Sequence, residues 1–209
     1  MAIKRIAICA AVIILACVGG YLGIDAFEKK ENNHKVDGVS SASPKKIPPT
    51  IGDTYTILGK KTGLNGWIIQ YDNGLIRGGN ILDQRGMVFL KELGVKTIFS
   101  VTPTDLEREL AYEYGVTLLE IEYQKDPGMT KQIVDKFLAE IDKNPGPYYI
   151  HCIGGADRGG ALVGAYRLFK ENKDIDMILE EFTLLGGHAL QFPKLLDYLE
   201  EEGNLRKQG

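Results

Sequence analysis

One stretch of the chain gathers the groups that nucleophilic chemistry on an anion needs: His151-Cys152-Ile153-Gly154-Gly155-Ala156-Asp157-Arg158-Gly159-Gly160. Cys152 supplies a thiol, and five residues separate it from the guanidinium of Arg158. Curled into one cradle, Ile153, Gly154, Gly155, Ala156 and Asp157 turn their amide N–H groups to a common point. If a helix starts at Arg158, its orphan donors and its dipole favour negative charge there. Gly154 and Gly155 permit the left-handed backbone that such a nest requires. The same field favours the cysteine thiolate over the thiol. Arg158 can hold two phosphate oxygens in its planar fork, which a lysine cannot. Nucleophile, anion hole and clamp fall within a single loop, and the chemistry they suit is attack of a thiolate on a phosphate ester.

The chain has two further cysteines, Cys9 and Cys17, both in the apolar N-terminal segment. The folded part therefore has one cysteine, with neither a disulfide framework nor a Cys-x-x-Cys metal site. A lone cysteine is ordinarily a small buried hydrophobe. Its neighbours in the loop argue for the nucleophile instead.

The loop needs a strand before it and a helix after it, and the pattern supplies both. Tyr148-Tyr149-Ile150 is a short strand running into His151, and 161–170 is helical, as are 174–185 and 190–201. Upstream, 66–71 and 75–77 flank the turn-forming Asp72-Asn73-Gly74 and predict a hairpin. Met87, Leu90 and Leu93 predict a helix over 83–93, stopped by Gly94. Lys96 to Val101 reads as a buried strand. Thr104 and Glu107 form the Thr-x-x-Glu pattern of a capping box at the next helix. Val116 to Tyr123 is another strand, and 130–143 carries Ile133, Val134, Phe137, Leu138 and Ile141 on one face. Trp67 and Tyr71 are expected in the core. The expected fold is α/β, a mainly parallel central sheet flanked by helices on both faces. Ligands of such sheets bind beyond the carboxyl ends of the strands, where 148–158 lies.

The loop resembles the Cys-x5-Arg signature of the protein tyrosine phosphatase superfamily, in the Gly-Ala-Asp-Arg version of bacterial dual-specificity-like phosphatases. Leu75-Ile76-Arg77-Gly78-Gly79, the segment Leu90 to Ile98 and Ala165-Tyr166-Arg167-Leu168 resemble the same family, so the likeness covers roughly residues 67 to 200. It implies phosphatase chemistry with no metal or other cofactor. In that chemistry Cys152 attacks phosphorus to give a cysteinyl-phosphate that water hydrolyses. Arg158 and the amides of Ile153, Gly154, Gly155 and Ala156 would stabilise the equatorial oxygens. His151 would orient the loop and tune the thiol.

The leaving group needs a general acid. Asp126, in Gln124-Lys125-Asp126-Pro127-Gly128, lies where the family carries its acid. Asp157 is the rival, since relatives with Asp before the arginine are thought to use it; otherwise it orients Arg158 or a loop amide. Asp126 is favoured. His188, in Gly186-Gly187-His188-Ala189, either lines the substrate cleft or is a structural histidine between helices. The chain departs from the family at Gly159, where a Ser or Thr hydroxyl usually assists thiolate departure. A slow second step is expected, and a phospho-ligand-binding pseudophosphatase stands as the alternative. A rhodanese-like sulfur carrier also cradles a cysteine, but Arg158 at the helix start fits phosphate better. Phosphotyrosine, inositol phosphates and lipid phosphates are all open as substrates, and Lys125, Lys131 and Arg77 are candidates for a basic wall.

At the N-terminus, Lys4 and Arg5 precede an uncharged run from Ile6 to Ile24, closed by Asp25. Those 19 residues make a helix of roughly 28 Å, about the thickness of a bilayer core. Residues 1–28 therefore read as a membrane segment with the N-terminus inside. A cleaved signal and a lipoprotein signal with Cys17 as the lipidated residue compete with it. Each reading places the rest of the chain outside the cytoplasm, and a tether is preferred over free secretion. Residues 29–50 have linker composition, which leaves 51–209 as the catalytic domain. The 44% hydrophobic content, 25% charge and net charge of -3 fit a globular domain and give no stripe for nucleic acid.

Overall fold

A computed structural model describes residues 55–208; the predicted N-terminal segment, Cys17 and the linker lie outside them. Its framework is a six-stranded sheet in the order β1-β2-β3-β6-β4-β5. The strands are β1 Tyr55–Gly59, β2 Ile68–Tyr71, β3 Leu75–Gly78, β4 Thr97–Ser100, β5 Thr117–Glu120 and β6 Tyr148–His151. The turn between β2 and β3 forms as its residues dictate: Asn73 Oδ1 accepts from Leu75 N at 2.9 Å, and Gly74 takes φ 82°. A connection that short can only reverse the chain, so β2 and β3 pair antiparallel. β1, which the pattern did not predict, adds a second antiparallel pairing on β2. The β3–β6, β6–β4 and β4–β5 pairings are parallel. The sheet is mixed, with three of its five pairings parallel.

Because side chains alternate along a strand, consecutive strand residues supply opposite cores. Ile69, Leu75, Phe99 and Ile150 face one core. It is completed by helices α3 Lys131–Lys143, α4 Arg158–Phe169, α5 Ile175–Leu184 and α6 Asp197–Gln208. Ile68, Ile76, Ile98 and Tyr149 face the other, covered by α1 Gln84–Glu92 and α2 Asp105–Glu113. Helices on both faces are as expected, and they leave all four residues of β4 buried, Thr97 and Ser100 included. β6 lies between β3 and β4, so its carboxyl end opens at the middle of the sheet edge. α4, which starts there, is buried on nearly every side.

One helix boundary and one core assignment differ from the pattern. The last helix starts at Asp197, not Leu190, after a 3-10 turn at Pro193–Leu195. Pro193 has no amide hydrogen and its ring clashes with the preceding turn, so a helix from 190 cannot pass through it. Leu190, where the helix was expected to begin, is fully exposed. Trp67, expected in the core, is 44% exposed, whereas Tyr71 is buried with its hydroxyl on Glu181.

Candidate active site

β6 ends at His151, and the loop turns into α4 at Arg158, so Cys152 lies at the sheet edge against the helix N-terminus. Its thiol is free and 4% exposed. The loop is held open as a cradle from behind. Arg77, a buried cation on neighbouring β3, donates from Nε to Gly155 O and from Nη2 to Ala156 O, both at 2.7 Å. A third bond reaches Leu185 O at 3.2 Å. The Ile153 carbonyl is held by Asn80 N at 3.1 Å and Asn65 Nδ2 at 2.8 Å. In a trans peptide the N–H points opposite to the C=O. Pinning these three carbonyls outward therefore turns the amides of Gly154, Ala156 and Asp157 the other way. Gly155 sits at φ 77°, where a side chain would also collide with the Gly78 carbonyl. Only glycine fits there. Ile153 and Gly154 stay exposed at the rim.

Arg158 is braced from one side. Its Nη1 donates to Tyr123 O at 3.1 Å, and Tyr123 Oη donates back to Arg158 O at 2.6 Å. Arg158 Nε is buried with no hydrogen-bond partner among the described residues. A buried donor without an acceptor is costly, and an oxyanion in the cradle would supply one. Burial holds the Tyr123 hydroxyl well above its ordinary pKa, so it remains a donor.

Asp157 is the last residue before α4, yet its side chain makes no capping bond to that helix. Oδ2 accepts from Lys125 Nζ at 2.5 Å; Oδ1 accepts from His188 N at 3.0 Å and lies 2.9 Å from His188 Nδ1. Burial pushes this carboxyl up, but the bonds from Lys125 and His188 outweigh it and hold the pKa below the ordinary value. Lys125 also lies over the Phe192 ring, 3.6 Å from its centre. Asp126 points elsewhere: its Oδ1 accepts from Lys194 at 3.0 Å, and no hydrogen bond among the described residues joins it to the loop.

Residues 75–172 match the model of a family described as "Tc-R-P: Polymorphic toxin system, DSP-PTPase phosphatase". That match covers β3, the cysteine loop and α4 together. Over those residues the chain is similar to phosphatases of the protein tyrosine phosphatase superfamily.

The phosphatase fold recurs in solved structures. P. aeruginosa TpbA is 19% identical with a TM-score of 0.56, covering 73% of this chain and 92% of its own. A putative phosphatase (DUF442) from Shewanella putrefaciens CN-32 is 21% identical with a TM-score of 0.55, covering 66% and 89%. The core catalytic domain of the PP-IP phosphatase SIW14 from S. cerevisiae is 23% identical with a TM-score of 0.50, covering 65% and 87%. No curated protein matches the chain.

At the candidate site the structure brings together Cys152, the loop, Arg158, Asp157, His151 and His188, and no hydrogen bond among the described residues joins Asp126 to them. Arg77 and Glu107 lie elsewhere than expected, and Lys125 has a specific partner. Arg77, a candidate for the basic wall, is 1% exposed and behind the loop, so it cannot meet substrate. A lone charge inside the apolar Leu75-Ile76-Arg77 followed by two glycines is the signal that could have placed it there. Lys125, likewise a basic-wall candidate, is ion-paired with Asp157. Glu107 was assigned to a capping box. Thr104 does cap α2, accepting from Glu107 N at 3.1 Å. The Glu107 carboxylate does not return to the cap; it binds Ser100 Oγ at 2.8 Å and His151 Nε2.

Proposed function

We propose that the domain hydrolyses phosphomonoesters through a cysteinyl-phosphate. The observation that carries this reading is the juxtaposition of a buried free thiol, a carbonyl-pinned loop at a helix N-terminus and the unpartnered Nε of Arg158. Cys152 Sγ attacks phosphorus as the bond to the leaving oxygen breaks, and that oxygen takes a proton from the acid. Water then attacks phosphorus, the S–P bond breaks, and inorganic phosphate leaves. The loop amides and Arg158 stabilise charge on the three equatorial oxygens at both steps.

Asp126 is the acid in this reading. Asp157 is engaged by Lys125 and His188 and is held ionised, which suits positioning rather than proton donation. The Asp126 side chain is 76% exposed and, among the described residues, tied only to Lys194, so a movement of its loop brings it to the leaving group.

The substrate class is an accessible monoester phosphate. TpbA has been solved with pTyr, and SIW14 is described as a PP-IP phosphatase, so this fold serves both a phosphoamino acid and an inositol pyrophosphate. Phosphotyrosine, inositol phosphates and lipid phosphates all present the group the cradle fits, and a substrate panel separates them. Gly159 favours a second reading, a phospho-ligand-binding protein with little turnover, because no hydroxyl follows Arg158.

The apolar run Ile6–Ile24 supports a tethered enzyme whose catalytic domain lies on the extracytoplasmic side, anchored by that run or by a lipid on Cys17. Protease accessibility in intact cells tests the side, and Cys17→Ser tests the lipid.

The deciding experiment is para-nitrophenyl phosphate hydrolysis by the full chain, with Cys152→Ser and vanadate alongside. Turnover that vanadate blocks and the variant lacks is expected. Vanadate binding without turnover selects the binding protein, and failure of both removes the phosphate reading.

A further inference from the structure

His151, Glu107 and Ser100 form a closed polar chain beneath the nucleophile. All three are buried: His151 and Ser100 are 0% exposed and Glu107 1%. Ser100 Oγ donates to Glu107 Oε2 at 2.8 Å, and the other carboxylate oxygen meets His151 Nε2. On its far side the imidazole places Nδ1 3.4 Å from the Cys152 carbonyl oxygen, a long contact. Both ring nitrogens thus face oxygen acceptors, and only an imidazole protonated on both nitrogens donates to both. The charge balance points the same way. A carboxylate shut away from water with a neutral partner is an uncompensated buried charge, whereas carboxylate and imidazolium cancel.

The other groups around this chain do not replace either partner. Tyr149 stacks on the His151 ring at 5.2 Å but sends its hydroxyl to Gly79 O. Tyr123 is engaged with Arg158, Asp157 with Lys125 and His188, and Arg77 with loop carbonyls. Arg158 reaches Tyr123 O and makes no bond to Glu107. Glu107 and His151 are therefore left to each other.

We propose that Glu107 is a positioning residue of the phosphatase reaction: it holds His151 as an imidazolium whose charge, one residue before the nucleophile, stabilises the Cys152 thiolate. The influence comes from α2, on the opposite face of the sheet from α4. Glu107 touches neither the thiol nor the substrate. The proposal rests on Cys152 acting as a thiolate, and it adds where part of the stabilising charge originates.

The sign of one substitution separates the alternatives. Glu107→Gln keeps the shape and removes the charge. If Glu107 sustains an imidazolium, the variant loses that cation and the thiol pKa rises. If His151 is neutral beside an ionised Glu107, the variant removes a negative charge near the thiolate and the thiol pKa falls. If neither partner carries a charge, a protonated carboxyl facing a neutral imidazole, the amide mimics it and nothing shifts.

The test is the rate of Cys152 alkylation by iodoacetamide across pH, in the full chain and in Glu107→Gln, with Cys9 and Cys17 replaced by serine in both. Alkylation below the thiol pKa is expected to slow by about tenfold per unit of rise. A faster or unchanged rate overturns the proposal. If Glu107→Gln does not fold, the 15N shifts of His151 in the unsubstituted chain decide: two protonated ring nitrogens are expected, and one bare nitrogen refutes it. Neither readout requires turnover. A chain that passes here yet fails to hydrolyse para-nitrophenyl phosphate would lose the enzymatic reading and keep the thiolate one.

Discussion

Lys125 Nζ lies 2.5 Å from Asp157 Oδ2, and that ion pair joins the loop after β5 to the loop that cradles the anion. Asp157 also takes two contacts from His188, so one carboxylate ties three separate loops together. The residue next to Arg158 is thereby a brace, and its neighbours Lys125 and His188 are held at the rim.

The brace has a definite pH signature. The folded-state pKa of Asp157 is depressed, burial raising it and the Lys125 and His188 bonds lowering it further. A depressed carboxyl contributes stability that is present above its unfolded value, about 3.9, and is lost as pH falls through the folded value below that. Asp157→Asn is expected to melt lower than the unsubstituted chain at pH 7. The gap should hold to about pH 4 and close at more acid pH. Thermal melts at pH 7, 5 and 3 check this, and a gap that persists undiminished at pH 3 contradicts it.

Asp126 and Asp157 separate by leaving group. A general acid contributes roughly 10² to 10⁴ in rate when the leaving oxygen needs a proton. Asp126→Asn should therefore slow phenyl phosphate hydrolysis far more than para-nitrophenyl phosphate hydrolysis, while Asp157→Asn should slow both alike. Lys194→Ala, which frees Asp126, should leave the rate equal or raise it. The reverse pattern between the two aspartates would make Asp157 the acid.

Arg77 holds the loop through two of its carbonyls, those of Gly155 and Ala156, and ties it to Leu185 O from a position shielded from substrate. Arg77→Lys keeps the charge but cannot reproduce the fork. We expect a loss of about 2 kcal/mol in stability, from carbonyls left without donors. The vanadate inhibition constant should rise about tenfold as the amides lose their aim. Denaturant melts and vanadate titration measure both, and unchanged vanadate affinity would mean the loop holds its shape without the latch.

Gly159 is packed as well as lacking a hydroxyl. A Cβ there would sit 3.2 Å from Cys152 N and from the His151 backbone, so α4 abuts the end of β6. Rapid-quench kinetics should show a burst of para-nitrophenol near one equivalent of enzyme, followed by a slower steady rate. Gly159→Ser should shrink the burst and cost about 1 kcal/mol or more from crowding. A steady rate from the first turnover, with no trapped intermediate, would show that dephosphorylation does not need the hydroxyl.

Local chemistry was legible in the chain because the loop is contiguous. The types and spacing of Cys152, Gly155 and Arg158 specify an anion cradle wherever a strand end meets a helix start, and periodicity located both. The hairpin and the helices at 84–92, 105–113 and 131–143 followed from turn residues, caps and apolar spacing, which act within a few residues. The parts that pairing and packing decide were not legible. β1 has no strong alternation, with a burial pattern of half-exposed residues, and becomes a strand because β2 offers it an edge. The final helix was shifted by a proline rule that yields only to where the chain must turn. Glu107 shows the limit most clearly. Its position three residues after Thr104 specifies a cap, and Thr104 does cap. Its carboxylate nevertheless goes to His151, 44 residues away, because only the tertiary fold brings a buried imidazole within reach.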